Sequence, residues 1–392
     1  MIGGTPQGGI TRYALSDEDW QARHWLIDTA SHFGFAHRFD AVGNLFIYHP
    51  QWQEETTILV GSHLDTVPNG GGYDGALGVL GALECIIRIQ EEQITPKHCL
   101  QVVVWTEEEG SRFRGGLVGS RAYIGELPKS ELDDVDSNGC SLAKALDSRG
   151  LSGLAMTAGV KDKTYSYLEL HIEQGGVLER SNLQIGVVTG IVGIRRYDIT
   201  LTGQANHAGT TPMELRRDAL AGAAQMVLLT EEKVKSSGFP RAVATVGKLQ
   251  VYPGAVNVVP GQVEFALEVR DLESQVMDEI SGRVLQAYQQ VAEERDLCFS
   301  WQQTADVVPA PLHPRIRAGI AEVATALGYS YQEMPSGAGH DAQHLAQICP
   351  TGMIFVPSQG GISHSPREFT PAADCVRGAN VLLNSILMID QM

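Results

Sequence analysis

Short, almost wholly apolar runs alternate with helical patterns in the first half of the chain. The run TILVGSHL at 57–64 is typical of a buried strand, and the segment 74–93 carries apolar residues at helical spacing. A second apolar run ends in TEEE at 106–109, and a third ends in HIEQG at 171–175. Apolar strands separated by helices indicate an α/β sheet that is covered on both faces. Ligands of such sheets bind at the carboxyl ends of the strands, so a functional site is expected there.

The pattern changes near residue 190. In the segment 262–271, QVEFALEVRD, apolar and polar residues alternate, as in an antiparallel strand with one exposed face. Two long helical patterns at 218–237 and 273–296 accompany such strands, and the earlier α/β pattern returns after them. We therefore predict an α/β domain with a mixed sheet that is interrupted by a smaller α+β domain. The predicted bounds are 1–188 and 306–392 for the α/β domain and 189–305 for the inserted domain.

Charge and composition exclude several classes of protein. The 392 residues carry a formal charge of −17 without a Lys/Arg cluster, which argues against a nucleic-acid partner. No apolar run reaches the roughly 18 residues of a membrane helix, and residues 1–20 lack the basic and apolar regions of a signal peptide. The six cysteines lack CxxC spacing, which is typical of reduced thiols. The sequence thus predicts a cytoplasmic protein without nucleic-acid or membrane partners.

Charged residues lie where the first predicted strand ends. Residues i and i+2 of a strand point to the same side, so Asp65 can accept a hydrogen bond from the imidazole of His63. This arrangement is expected behind a metal-ligating histidine, and a His–Asp pair that only stabilises a strand end is the alternative. Asp74 follows among glycines at the start of a predicted helix, where the usual role of an aspartate is the N-cap.

The later strands end in further candidate ligands. Glu107, Glu108 and Glu109 follow the second strand, and adjacent carboxylates repel one another unless a cation or a proton neutralises them. A solvated charge run is the alternative. His171 ends the third strand, and His364 lies in the loop GGISHSP. Three imidazoles and two carboxylates suit Zn²⁺ or Mn²⁺ rather than Ca²⁺; these ligands are His63, Asp74, Glu109, His171 and His364.

Seven motifs connect these residues to a known family. In chain order they are GSHLDTV, YDGALGV, EEEGSRF, ELHIEQG, NHAGTTPM, SGAGHDA and GISHSP. The order resembles that of the dinuclear-metal amidohydrolases of the peptidase M20 clan over nearly the whole chain. The chain most resembles the hydantoinase/carbamoylase branch, which contains N-carbamoyl-L-amino-acid hydrolases, β-ureidopropionase of the yeast type and allantoate amidohydrolases. HIEQG, where many clan peptidases have an acidic ligand instead of His, and HAGTTPM mark this branch.

The resemblance implies a metal-dependent catalytic α/β domain and assigns its residues. Asp74 would bridge two metal ions, with His63 and His171 completing one site and Glu109 and His364 the other. Glu108 would be the general base, and Asp65 would orient His63. The implied cofactors are two divalent ions per subunit, Zn²⁺ with Mn²⁺ or Co²⁺ as alternatives.

The resemblance also implies residues that contact the substrate. In the inserted lid or dimerisation domain, His207 would stabilise the oxyanion in the site of the partner subunit of a homodimer. Asn257 and Arg270 would hold the substrate carboxylate. A surface histidine is the alternative for His207, and an ion pair with a glutamate is the alternative for Arg270. Gln174 would bind the amide or ureido group. Tyr197 would line the cleft, Gly339 would offer a backbone donor, and His340 would either face the substrate or lie behind a metal ligand.

The sequence therefore predicts a homodimeric metal-dependent hydrolase of linear C–N amide bonds outside peptides. The expected substrates are N-carbamoyl-L-amino acids or related ureido acids, with release of ammonia and CO2. Allantoate amidohydrolase activity is one alternative, and M20 aminopeptidase or dipeptidase activity is another. A metal-stabilised binding protein would usually have lost the base or a ligand, so the presence of Glu108 and all five ligands argues against that class.

Overall fold

The computed structural model describes residues 1–52, 55–151 and 163–392. This part of the chain divides into two compact units. Unit 1 comprises Met1–Gly190 and Pro311–Met392, and unit 2 comprises Ile191–Ala310. The sequence predicts the corresponding boundaries at 188/189 and 305/306.

The helices and strands of the described residues are numbered here in chain order. The helices are α1 (Asp17–His32), α2 (Ala76–Glu91), α3 (Val118–Ile124), α4 (Leu142–Ser148), α5 (Val177–Ser181), α6 (Ala219–Lys235), α7 (Ser274–Glu294), α8 (Pro314–Ala326), α9 (Ala342–Leu345) and α10 (Ala372–Asp390). The strands are β1 (Ala36–Phe39), β2 (Leu45–Tyr48), β3 (Thr57–His63), β4 (Cys99–Trp105), β5 (Thr164–Ile172), β6 (Ile185–Ile191), β7 (Gly193–Thr202), β8 (Asn206–His207), β9 (Val243–Tyr252), β10 (Val258–Val259), β11 (Gln262–Asp271), β12 (Cys298–Val307), β13 (Ala310–Pro311), β14 (Tyr331–Ser336) and β15 (Thr351–Val356).

Unit 1 is built on a mixed sheet, as the sequence predicts. Its central strands lie in the order β1-β2-β4-β3-β5-β15-β6. β3 is parallel to β4 and to β5, and β5 is parallel to β15. β2 and β6 are antiparallel to their neighbours β4 and β15. Every residue of β3 and of β15 is buried, which explains why these strands are nearly continuous apolar runs.

Helices α2, α8 and α10 bury the apolar side chains of this sheet. Val60, Leu170 and Ile354 of the strands share one core cluster with Val79 of α2 and Leu382 of α10. Full burial of an aliphatic side chain of this size contributes about 1.5–3 kcal/mol. The cluster therefore fixes the strands relative to one another, and with them the residues at the strand ends.

The parallel strands end at one edge of the sheet. His63, the last residue of β3, is level with Trp105, the last residue of β4, in the parallel pairing. His171 near the end of β5 is level with Phe355 of β15. The predicted site residues that follow these strands are consequently carried to the same edge of the sheet.

Among the described residues, α10 is the one helix that is long and apolar enough to cross a membrane by length and composition alone. Its side chains Val381, Leu382, Ile386 and Ile389 are fully buried in the core cluster of unit 1. Core helices of globular domains have the same composition, so α10 does not indicate a membrane protein.

Unit 2 contains an antiparallel sheet in the order β12-β7-β11-β9. Alternate residues of β11 are buried along its whole length, which confirms the half-buried strand that the sequence predicts at 262–271. Val263, Phe265, Leu267 and Val269 form a core with the helices α6 and α7. A separate short ladder pairs β8 with β10 and places His207 opposite Val258.

Candidate metal centre

Asp74 lies at the centre of three histidines in unit 1. Its Oδ1 is 3.3 Å from Nε2 of His63 and 3.2 Å from Nε2 of His171. Its Oδ2 is 3.4 Å from Nε2 of His364. The N-cap of α2 is Gly75, and this helix has no side-chain capping bond. The side chain of Asp74 therefore does not serve as the N-cap that its sequence position would suggest.

The candidate ligand atoms form two groups that share Asp74. The atoms of His63, Asp74 and His171 lie within 4.8 Å of one another, and so do those of Asp74, Glu109 and His364. In the second group, Oε2 of Glu109 is 3.3 Å from Nε2 of His364. The first group is buried, whereas the side chain of His364 is 48 % exposed. The structure thus brings the five predicted ligands together, with one group more accessible than the other.

Backbone hydrogen bonds orient the two buried histidines. Nδ1 of His63 is 3.0 Å from the backbone oxygen of Asp65, and Nδ1 of His171 is 2.8 Å from the backbone oxygen of Ile172. A carbonyl oxygen only accepts, so each Nδ1 carries a hydrogen. Burial alone would lower the pKa of both rings, but the neighbouring carboxylates, Glu108 and Asp74 for His63 and Asp74 for His171, raise it above its usual value. Each Nε2 faces Asp74, and a bound cation would take the place of the Nε2 proton, as expected of histidines that bind a metal through Nε2.

Asp65 orients His63 in a different way from the one predicted. Its carboxylate oxygen lies 3.9 Å from Nδ1 of His63, and the backbone carbonyl of Asp65 accepts the hydrogen bond instead. The reason is that β3 ends at His63, so the same-side rule for strand residues does not extend to Asp65. The Asp65 carboxylate accepts a hydrogen bond of 3.1 Å from the backbone N–H of Glu109. Asp65 therefore connects the His63 and Glu109 segments.

The three successive glutamates have three different environments. Oε1 of Glu107 accepts hydrogen bonds from the backbone N–H groups of Arg112 (2.9 Å) and Phe113 (2.7 Å), so Glu107 stabilises the following turn. Oε2 of Glu108 lies 3.7 Å from Nε2 of His63, and Glu109 faces His364. The side chains of Glu108 and Glu109 are 9 % and 6 % exposed, which excludes a solvated charge run.

Buried carboxylates dominate the electrostatics of the site. Burial raises the pKa of Glu108 well above its usual value despite the opposing effect of His63. Burial and the nearby Asp74 carboxylate raise the pKa of Glu109 to about 7. Burial would also raise the pKa of Asp74, but His171, His364 and His63 hold it well below its usual value. Cations would supply the positive charge that these carboxylates require, and the mixed nitrogen and oxygen donors fit divalent metal ions.

Gly75 allows the start of α2 to approach His63. A Cβ atom at this position would lie 2.5 Å from ring atoms of His63, closer than any real side chain. The backbone φ of +63° also favours glycine. The glycine in the motif YDGALGV is therefore required for the position of Asp74 beside the histidine.

Gln174 contacts the candidate metal centre directly. Its Nε2 donates a hydrogen bond of 2.7 Å to Oδ2 of Asp74. Its buried Oε1 has no hydrogen-bond partner among the residues that the structure describes. A buried carbonyl oxygen without a donor is suited to accept a hydrogen bond from an amide or ureido N–H.

His340 packs against His171, and Gly339 directly precedes it in the chain. The ring of His340 is buried 4.6 Å from that of His171, and its Nε2 is 2.9 Å from Oγ of Ser336. Gly339 is exposed directly before it.

Sequence reasoning missed Glu169, whose carboxylate forms a further group with His171 and His340. Glu169 is fully buried and accepts hydrogen bonds from Oγ of Ser62 (2.6 Å) and from the hydroxyl of Tyr167 (3.0 Å). A glutamate two residues before His171 in an otherwise apolar strand was the available signal.

In unit 2, His207 has a defined tautomer. Its Nδ1 accepts hydrogen bonds from the backbone N–H groups of Gly209 (3.0 Å) and Thr210 (3.2 Å). The ring hydrogen is therefore on Nε2, and the residue is exposed, so Nε2–H is an available donor. The backbone oxygen of Asn257, which is also exposed, accepts from the N–H of Ala208 at 2.9 Å and holds the two segments together.

The other two candidates of unit 2 lie on the two faces of its sheet. Nε of Arg270 donates a hydrogen bond of 2.7 Å to Glu268 on the same strand. This is the ion pair that the sequence leaves open, although with a same-strand rather than a cross-strand partner. Tyr197 was expected to line a cleft, but it is 6 % exposed in the core of unit 2. It shares the buried face of β7 with Ile199 and Leu201, so its ring packs inward.

The sequence matches Peptidase family M20/M25/M40 over residues 59–388. It is 41 % identical over 393 residues to the N-carbamoyl-L-amino acid amidohydrolase of Geobacillus stearothermophilus, covering 100 % of this chain and 96 % of that protein. It is 36 % identical to the allantoate amidohydrolase of Bacillus subtilis, covering 97 % of this chain and 93 % of that protein. The fold matches the crystal structure of a hydantoinase/carbamoylase family amidase from Burkholderia multivorans with a TM-score of 0.95 at 37 % identity, covering 100 % of this chain and 95 % of that one.

Proposed function

Because the chain belongs to peptidase family M20/M25/M40, and its relatives are amidohydrolases that act on non-peptide C–N bonds in linear amides, we propose that it hydrolyses N-carbamoyl-L-amino acids with two divalent ions. The observation that carries this proposal is the pair of ligand groups that share Asp74. Glu108 lies beside them without belonging to either group, which leaves its carboxylate for proton transfer.

Each ligand group would hold one ion, His63, Asp74 and His171 on one side and Asp74, Glu109 and His364 on the other. Bound divalent ions lower the pKa of water and polarise a carbonyl group. Glu108 would accept a proton from the attacking water and pass it to the nitrogen of the departing amino acid. The carbamate that is released, H2NCOO⁻, then takes up a proton from the solvent and decomposes to ammonia and CO2.

The chain's other residues would bind the substrate and its developing oxyanion. Nε2–H of His207 is the proposed donor to the oxyanion, in the site of the partner subunit of a homodimer. Oε1 of Gln174 would accept from a ureido N–H. Asn257 and the guanidinium of Arg270 would hold the substrate carboxylate. Unit 2 would act as the lid and the dimerisation domain, whose closure completes such a site.

Allantoate is the second candidate substrate, and the relative from Bacillus subtilis supports it. A more polar ureide would call for additional cationic contacts, for which the adjacent Arg195 and Arg196 are the candidates. Arg195 pairs with Asp278 (2.9 Å) and Asp306 (2.6 Å), and Arg196 pairs with Glu268 (2.5 Å). Arg270 also pairs with Glu268 (2.7 Å), so these pairings do not distinguish the two substrates. The higher identity to the N-carbamoyl-L-amino acid amidohydrolase, 41 % against 36 %, favours the carbamoyl amino acids.

A substrate panel tests the proposed function. Protein reconstituted with Zn²⁺, Mn²⁺ or Co²⁺ is assayed for ammonia release from N-carbamoyl-L-amino acids and from allantoate, and for cleavage of dipeptides. We expect kcat/KM for a carbamoyl amino acid to exceed that for allantoate by about tenfold or more, the range that a few buried polar contacts supply. A preference for allantoate would support the second candidate, and dipeptide cleavage without ammonia release would contradict both.

Replacing His207 by alanine is expected to lower kcat by about 10²–10³-fold, the usual effect of removing an oxyanion donor. Metal content should stay at the wild-type level, because His207 belongs to unit 2 and to neither ligand group. The measurements are steady-state ammonia release and elemental analysis of the dialysed protein. His32→Ala, at an exposed position at the end of α1, is the control. A parallel fall of metal content and turnover in His207→Ala would contradict the assigned role.

A further inference from the structure

We propose that Glu368 is a positioning residue of the metal centre. It holds the bridging ligand Asp74 and the loop of His364 in fixed positions relative to each other. This inference rests on the proposed function, because it takes the two ligand groups to be ion sites. Glu368 lies four residues after His364 in a loop and is 6 % exposed. It belongs to neither ligand group.

One carboxylate oxygen of Glu368 holds the backbone of the bridging ligand. Its Oε1 accepts hydrogen bonds from the backbone N–H groups of Tyr73 (2.9 Å) and Asp74 (3.0 Å). Hydrogen bonds to a charged acceptor are stronger than those between neutral groups. Glu368 therefore fixes the main chain at the residue whose side chain contacts all three histidines.

The other oxygen of Glu368 reaches the Asp74 side chain through a hydroxyl group. Oγ of Ser363 lies 2.8 Å from Oε2 of Glu368 and 2.9 Å from Oδ2 of Asp74. Ser363 directly precedes His364 in the chain. Because a hydroxyl has one hydrogen, the two carboxylates share it in a three-centre hydrogen bond. Glu368 is thereby connected both with the carboxylate of the bridging ligand and with the loop that carries a ligand of the second group.

The packing of Gly71 is independent evidence for this arrangement. A Cβ atom on Gly71 would lie 2.1 Å from both the carboxyl carbon and Oε1 of Glu368. Any side chain at this position would displace the carboxylate from the backbone N–H groups that it binds. The Asp74 segment thus contains a space that only a glycine leaves open, and the carboxylate of Glu368 fills it.

Glu368 acts unequally on the two ligand groups. Its contact with Asp74 acts on both groups, which share that ligand, whereas its contact through Ser363 reaches the loop of His364, a ligand of the second group alone. His63 and His171 are instead held by their own hydrogen bonds to backbone carbonyls. Loss of the Glu368 carboxylate should therefore weaken the ion bound by Asp74, Glu109 and His364 more than the other ion.

The test is the substitution Glu368→Gln, with Glu322→Gln at an exposed position of α8 as the matched control. Zn²⁺ binding to metal-free protein is measured by calorimetry, and Co²⁺ binding by its visible spectrum. We expect the affinity for one ion to fall by about 10–100-fold, the effect of removing a partner that orients a ligand, while the other changes by less than about threefold. Turnover of Glu368→Gln should recover as the metal concentration is raised, which a change that only loosens the fold would not produce.

Two further variants keep the inference testable if Glu368→Gln does not fold. Ser363→Ala removes only the bridging hydroxyl, and Gly71→Ala displaces the carboxylate; each should show the same selective loss. Wild-type affinity for both ions in Glu368→Gln, or in Ser363→Ala when the former is unfolded, would overturn the inference, and so would an equal loss of both ions in folded protein. If the wild-type chain itself binds no pair of ions, the proposed function fails first, independently of Glu368.

Discussion

Replacing Glu108 by glutamine is expected to lower kcat by about 10²–10⁴-fold, the usual contribution of a general base, while both metal ions remain bound. Glutamine has nearly the same volume as glutamate but can neither take a proton from water nor return one to the leaving nitrogen. Glu108 belongs to neither ligand group, and its Oε2 lies 3.7 Å from Nε2 of His63. The measurements are ammonia release under saturating substrate and elemental analysis of the dialysed variant.

The neighbouring glutamates supply the controls for this prediction. Glu107→Gln should mainly lower thermal stability, because Glu107 accepts hydrogen bonds from the backbone of the following turn. Glu109→Gln should lose the ion of the second group and keep the other, because Glu109 faces His364 in that group alone. Turnover of Glu108→Gln within about tenfold of wild type, or loss of an ion from it, would contradict the assignment. The second result would make Glu108 a ligand and Glu109 the candidate base.

The sequence predicts best those strands in which the spacing of apolar residues follows directly from which side chains are buried. β3 is buried at every residue and β11 at every second residue, and each pattern is readable without knowing the partner strands. The exact end of a strand is harder to predict from the sequence, because it depends on which backbone N–H and C=O groups form hydrogen bonds with a neighbouring strand. The Asp65 prediction was wrong in its acceptor atom for this reason, since β3 ends before Asp65.

The site shows the same division between local and long-range information. His63, Asp74 and Glu109 were identifiable because each lies in a short motif next to a predicted strand or helix. Glu368 was not, because it lies in a polar loop and contacts Asp74 across 294 positions of the chain. Tyr197 was assigned to a cleft because nothing in its motif reveals which face of β7 packs on the helices of unit 2. Residues that act through tertiary contacts require the structure.

Replacing Asp74 by alanine is expected to remove both metal ions and to reduce turnover to the limit of detection. Asp74 is the member that the two ligand groups share, so its loss leaves each group with two ligands. Two imidazoles would remain in one group, and one imidazole with one carboxylate in the other. Such a pair of ligands binds a divalent ion far more weakly than a complete set. The measurement is elemental analysis of the variant after dialysis against buffer containing the metal.

Glu109→Ala is the comparison that separates loss of a bridge from loss of a ligand. Only the second group contains Glu109, so this variant should keep the ion held by His63, Asp74 and His171 and lose the other. The two variants should also differ in their response to a chelator, because Glu109→Ala keeps one complete ligand group and Asp74→Ala keeps none. Removal of the remaining ion should lower the Tm of Glu109→Ala but leave that of Asp74→Ala unchanged. Retention of even one ion at wild-type affinity by Asp74→Ala would show that the two groups do not depend on a shared carboxylate.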